Sequence, residues 1–273
     1  MNTLTKSPLR PRLLLAACSI LALGSAAATT ALAASNTVFE GKPVKIGKGT
    51  GRVVVRADAA GKPTSVAVTL TPDALEGLPS EPSKATHEGH WSYELPMPPK
   101  APRTGYRHVV VDWNPQGHPP PNVYTVPHFD FHFYTMSRAE VEKVTFKGPA
   151  DPATVVSNKR LVAPGYEVIP PTAVAKMGVH AVDTGGPEFQ GKPFTATFIY
   201  GYYKGRLTFL EPMVTRAFLL EKPDFSAEVR TPAEYSSSGH YPTRYSVRYD
   251  ESQKAYVVEL LDLKFVDRPK SKK

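Results

Sequence analysis

Residues 127–134 read PHFDFHFY, so Phe129, Phe131 and Phe133 alternate with His128, Asp130, His132 and Tyr134. A period of two predicts a β-strand with one aromatic face and one polar face. The strand is expected to start as early as Val123. Other strand patterns fall at residues 52–57 (RVVVRA), 64–70 (TSVAVTL), 107–113 (RHVVVDW), 194–202 (FTATFIYGY) and 206–213 (RLTFLEPM). Residues 58–63 predict a hairpin between the first two, and Tyr203-Lys204-Gly205 a tight hairpin between the last two. Residues 241–249 and 255–266, on either side of Asp250-Glu251-Ser252-Gln253, predict a C-terminal hairpin.

Helix signals are few. Thr71-Pro72 predicts a short helix through Leu75 to Gly77. Ser137-Arg138-Ala139-Glu140 is a capping box that predicts a helix to about Phe146. Residues 79–102, 114–122 and 148–176 read as loops, and 177–182 is too short to assign. The chain has 28 prolines, about twice the ordinary share, concentrated between strand-like runs. Strands joined by hairpins predict a mainly β fold, an antiparallel barrel or sandwich with a few short helices and long proline-rich loops.

The N-terminal stretch changes the picture of where this domain works. Lys6, Arg10 and Arg12 precede an apolar run over residues 13–23, and Ala31-Leu32-Ala33 offers a cleavage site. This predicts a signal peptide over 1–33 and a single β-rich domain over 34–273, periplasmic or secreted. Leu15-Ala16-Ala17-Cys18 also fits a lipobox, which leaves a lipoprotein anchored at Cys18 as the alternative. The apolar run continues past Cys18, which favours soluble export. Cys18 is the only cysteine, so a chain cut near Ala34 has no disulfide, thiolate ligand or cysteine nucleophile. No apolar run after residue 33 is long enough to span a bilayer. The net charge of +8 includes a basic tail at Arg268, Lys270, Lys272 and Lys273. No nucleic-acid motif accompanies it, so no nucleic-acid partner is expected.

Any metal must therefore bind through His, Asp or Glu. On one strand face, residues two apart are separated by about 7 Å and residues four apart by about 13 Å. An unbent strand pairs His128 with Asp130, or Asp130 with His132, on one ion. His180 and Glu211 are the further candidates, Glu211 because it shares a predicted face with Leu207, Phe209 and Met213, where a carboxylate needs a partner. The candidate set is His128, Asp130, His132, His180 and Glu211. Its nitrogen and oxygen donors suit one divalent zinc, iron or manganese ion. His118 reads as a rim or surface residue. Histidines 87, 90, 108 and 240 have no spacing that argues for a site, and packing accounts for Trp113 beside Asp112.

Two alternatives stay open: a non-catalytic envelope protein whose polar strand face forms a hydrogen-bonded network or subunit contact, and a carbohydrate-binding module using Tyr200, Tyr202, Tyr203 and Phe209. Whether the chain is an enzyme is undecided. His128-x-Asp130 with His180 has the form of a two-His-one-carboxylate iron site, but residues 181–191 lack the basic residue that oxoglutarate-dependent enzymes place after the distal histidine. Serine-hydrolase, P-loop, dinucleotide and zincin motifs are absent.

At DWNPQGHPPPNVYTVPHFDFHFY and MGVHAVDTGGPEFQGKPFTATFIYGYYKGRLTFLEPMVT the sequence resembles a bacterial secreted family of unknown function. Its namesake is a Thermus protein under sigma-E control. The resemblance covers roughly residues 47–219. It implies an exported domain of the same fold, a homo-oligomer and a link to envelope stress, with no established reaction. It places His118, His128, Asp130, His132, His180 and Glu211 inside the shared motifs.

Overall fold

The phenylalanine face of the 128–134 strand looks into a core shared by two sheets. The computed structural model describes residue 1, residues 37–86 and residues 89–269. The expected signal peptide, its cleavage site, the lipobox and His87 lie outside them. In chain order the strands are β1 (Thr37–Glu40), β2 (Val44–Ile46), β3 (Gly49–Ala57), β4 (Pro63–Leu70), β5 (Trp91–Leu95), β6 (His108–Asn114), β7 (His128–Tyr134) and β8 (Tyr166–Val168). There follow β9 (Val179–Asp183), β10 (Ala196–Tyr203), β11 (Arg206–Thr215), β12 (Asp224–Glu228), β13 (Gly239–Tyr241), β14 (Arg244–Asp250), β15 (Ala255–Leu261) and β16 (Lys264–Val266).

One seven-stranded sheet runs β1-β3-β4-β15-β14-β12, with β2 also on β3; the other runs β5-β6-β7-β11-β10-β9-β8. A small third sheet pairs β13 with β16. Every ladder is antiparallel. The arrangement is a sandwich rather than a closed barrel, because the end strands of each large sheet do not pair with each other.

Val53, Val55, Val66, Val68, Val258 and Leu260 from one sheet meet Val109, Val111, Phe129, Phe131, Phe133, Leu210 and Val214 from the other in one core. Tyr200 and Tyr202 belong to this core too, their hydroxyls donating to the carbonyls of Arg230 and Leu161. Both are essentially unexposed, so they form no platform for a sugar, and the carbohydrate reading loses its two central residues.

Local differences from the sequence expectations have physical reasons. The strand expected from Val123 begins only at His128, because Tyr124 turns inward against Phe194 and donates to Glu188. The capping box at Ser137 forms with both halves present, but the helix α1 (Arg138–Val141) stops after four residues. The Val144 carbonyl there accepts from the Lys176 amide instead of continuing the helix. At 72–75 the turn is 3-10, and Thr71 Oγ1 accepts from the Thr50 amide rather than capping it. Edge strands β1, β5, β8 and β12 were not expected, being short and irregular in pattern. A bulge at Thr208, where Gly201 pairs with Phe209 but Tyr202 with Leu207, turns Leu207 to the sandwich core beside Leu210. Leu207 therefore does not share the Glu211 face. Lys204-Gly205 makes the expected two-residue turn with positive φ at both positions.

Among the described residues no helix is long and apolar enough to cross a membrane.

Candidate metal centre

All seven residues of β7 are buried, so its polar side chains need partners. Strand register supplies them. On one side β6 pairs Asp112 with Asp130 and Asn114 with His128. On the other, β11 pairs Met213 with Asp130, which sets Glu211 beside His132. Beyond β11, Gly201 of β10 pairs with Phe209 and with His180 of β9, so His180 projects on the same face.

Gly201 is required by this packing, since a Cβ there would come within 2.2 Å of the Phe209 ring. That ring packs edge-on against His132 and tilted against His180, with centroids 4.7 Å and 5.5 Å away.

The structure sorts the polar residues into two groups of three. In the first, His132 Nε2 is 3.4 Å from Glu211 Oε1 and His180 Nε2 is 3.8 Å from Glu211 Oε2. In the second, His128 Nε2 is 3.1 Å from Asp130 Oδ1 and His118 Nε2 is 3.5 Å from Asp130 Oδ2. Within each group the donor atoms lie within 4.8 Å of one another. The sequence-predicted residues are thus all on this face, but not in one set: His128 and Asp130 separate from His132, His180 and Glu211.

His118, expected at a rim or on the surface, is mostly buried inside the second group. The Pro-rich loop that carries it is closed by its amide donating to the Tyr124 carbonyl. Gly117, at φ +71°, permits that closure, for a Cβ there would lie 2.1 Å from the Tyr124 oxygen.

The imidazoles are held by their other nitrogen. Nδ1 of His118, His128 and His180 lies 2.8, 2.7 and 2.7 Å from the carbonyl oxygens of Pro119, Val126 and Thr172. A carbonyl only accepts, so in the neutral ring Nδ1 carries the proton and Nε2 presents its lone pair to the group. His132 differs, with Asp112 Oδ2 3.2 Å from its Nδ1. Asp112 is a residue beside the clusters that sequence reasoning left aside. The sequence shows it only as a polar residue near the end of a strand, and pairing with β7 is what brings it to His132.

Several of these buried atoms have no hydrogen-bond partner among the described residues: Asp112 Oδ1, His128 Nε2, Asp130 Oδ1, both ring nitrogens of His132 and Glu211 Oε2. They lie close to opposite partners without pointing at them. Two donors on one divalent ion at about 2.0–2.2 Å are roughly 2.8–3.6 Å apart, and the contacts above fall in or just beyond that range.

The electrostatics are set by burial and by the opposite charges within each group. Burial raises Glu211, and despite the neighbouring His132 it stands at about 8. Burial lowers His132, but the Glu211 and Asp112 carboxylates outweigh it and push it up to about 9. His180 is driven down to about 4 by burial. Burial opposes the charge on Asp130, yet the adjacent His128 and His118 hold its carboxyl well below the usual range.

A cleft of about 900 Å³ opens beside the site, its wall including His90, Glu94, His108, Asp112, Tyr134 and Met177. It reaches Asp112, behind which His132 is fully buried.

Residues 58–113 match a family model described as "TTHB210-like: Hypothetical protein TTHB210". No curated protein and no solved structure matches the chain. The matched stretch runs from the β3–β4 turn to β6, ending one residue after Asp112, so the chain is similar to that family over β4, β5 and most of β6.

Proposed function

We propose that this is an exported protein holding a divalent metal ion between His132, His180 and Glu211. The observation that carries the reading is the convergence of His132 Nε2, His180 Nε2 and the Glu211 carboxylate in a buried pocket, with no hydrogen-bond partner for His132 Nε2 or Glu211 Oε2 among the described residues. A buried carboxylate oxygen and a buried imidazole nitrogen left without hydrogen bonds are costly, and an ion would satisfy both while also taking the His180 nitrogen.

Two imidazoles and one carboxylate suit zinc, iron or manganese. The two-His-one-carboxylate set is His132, His180 and Glu211, rather than the His128-x-Asp130 pair with His180. When bound, such an ion supplies Lewis acidity or an activated water at its open positions. The chain's own residues orient and shield: Asp112 lies behind His132, Thr172 fixes His180, and Phe209 covers the two imidazoles from one side. Export is supported by the basic, apolar and Ala-x-Ala segments of residues 1–33.

Elemental analysis of purified protein beside His180→Ala tests the metal. The expected result is near-stoichiometric metal in the wild type and its loss in the variant. Substoichiometric metal with unchanged melting on chelation would reduce the site to a hydrogen-bonded polar network. Mass spectrometry of the mature N-terminus tests export, with a start at Ala34 expected. A start at Cys18 bearing lipid would replace soluble export with anchoring.

A further inference from the structure

The second triad is built as carefully as the first, and no element of the first ion's site accounts for it. We infer that His118, His128 and Asp130 form a separate binding site for a second divalent transition-metal ion, so that one chain holds two.

Asp130 is arranged to bind through one oxygen. Asn114 Nδ2 donates to its Oδ2 at 2.7 Å, while Oδ1 has no hydrogen bond and lies 3.1 Å from His128 Nε2. A carboxylate with one oxygen fixed by an amide and the other free is the form that a metal-ligating carboxylate takes. Both histidines have Nδ1 committed to backbone carbonyls, which turns Nε2 inward. His128 is fully buried and Asp130 is 4% exposed, so an unmet polar atom on either is expensive.

The rings are also fixed in angle. His118 packs edge-on to His128 with centroids 4.7 Å apart, and Phe194 packs edge-on to His128 at 5.4 Å. Tyr124 braces His118 from the far side.

The geometry of β7 keeps the two sites apart. His128 and His132 are four residues apart on one strand face, about 13 Å at the α-carbon, and each turns to a different carboxylate. The same strand thus serves both sites from one face. The donors, two imidazole nitrogens and one carboxylate oxygen, suit zinc, manganese or iron over calcium or magnesium. His118 is the only ligand of the second triad on a loop and keeps 22% of its side chain exposed, so this ion would enter and leave from the His118 side.

The test is titration of chelator-stripped protein with zinc, read by calorimetry and elemental analysis, for wild type, His118→Ala and His180→Ala. Two equivalents in the wild type, with each variant losing a different one, is the expected result. His118→Ala changes a loop residue, and circular dichroism of the stripped variant checks that it folds. A wild type binding one equivalent that His180→Ala abolishes and His118→Ala spares overturns the second site and leaves the first. One equivalent abolished by both variants means a single shared ion and also overturns the inference. No zinc bound at all defeats both readings.

Discussion

Asp112 Oδ2 lies 3.2 Å from Nδ1 of His132, on the side of the ring away from Glu211. The pair joins β6 to β7 and leaves one nitrogen of a fully buried imidazole facing the carboxylate of β11. A carboxylate behind a ligating imidazole fixes its tautomer and raises its basicity.

Asp112→Asn should keep the fold and weaken the ion at His132, His180 and Glu211 by about 10–100-fold. Competition against a chromophoric chelator measures this. The ion at His118, His128 and Asp130 should be much less affected, because Asp130, although paired across the strands with Asp112, is held by Asn114 instead.

Gly201→Ala should lower stability by about 1–3 kcal/mol, since an added methyl meets the Phe209 ring and the core is already filled. Thermal denaturation of stripped protein reads it. The same change should weaken zinc, because Phe209 packs on both His132 and His180.

The two faces of β7 should separate in experiment. Phe131→Ala removes a fully buried ring from the sandwich core and should cost about 3–5 kcal/mol while leaving metal stoichiometry intact. His132→Ala should abolish one equivalent of metal.

The stripped protein should lose stability as pH rises from 6.5 towards 9. Burial lowers His118 and His132, but Asp130 for the first and Glu211 for the second outweigh it and bring each to about 9, against an ordinary 6.5. Burial lifts Glu211 to about 8 from 4.5. Each group binds its proton more tightly folded than unfolded, so its contribution is full below the unfolded value and lost through the folded one. His108 and His180, both pushed by burial to about 4, act in the opposite sense, but only below 6.5. Zinc must displace the protons on His118 and His132, so the rise in Tm on adding zinc should grow across the same interval. Calorimetric melts with and without zinc at about pH 6.5 and 8.5 would show both trends.

Much of this was legible in the chain. Alternation in HFDFHFY gave the strand, its phenylalanine core face and its polar face, because period two is dictated by the pleat alone. The Lys204-Gly205 turn and the capping box at Ser137 were equally local. The partition of the polar residues into two groups was not legible. It depends on β11 lying beside β7 in the register that puts Glu211 next to His132, and on β6 bringing Asp112 behind it. Those are pairings between residues distant in sequence. His118 was expected at a rim or on the surface because GHPPP reads as a loop, and closure onto the Tyr124 carbonyl is what brings it, still part-exposed, against Asp130. Leu207 was placed on the wrong face because a one-residue bulge leaves no mark in the hydrophobic pattern.

A crystal grown with zinc and measured at the zinc absorption edge is the most direct trial of the metal centre. An anomalous peak about 2.0–2.2 Å from Nε2 of His132, Nε2 of His180 and a Glu211 oxygen is the predicted outcome. Absence of a peak there, with the two imidazoles hydrogen-bonded to Glu211 or to water instead, would contradict it.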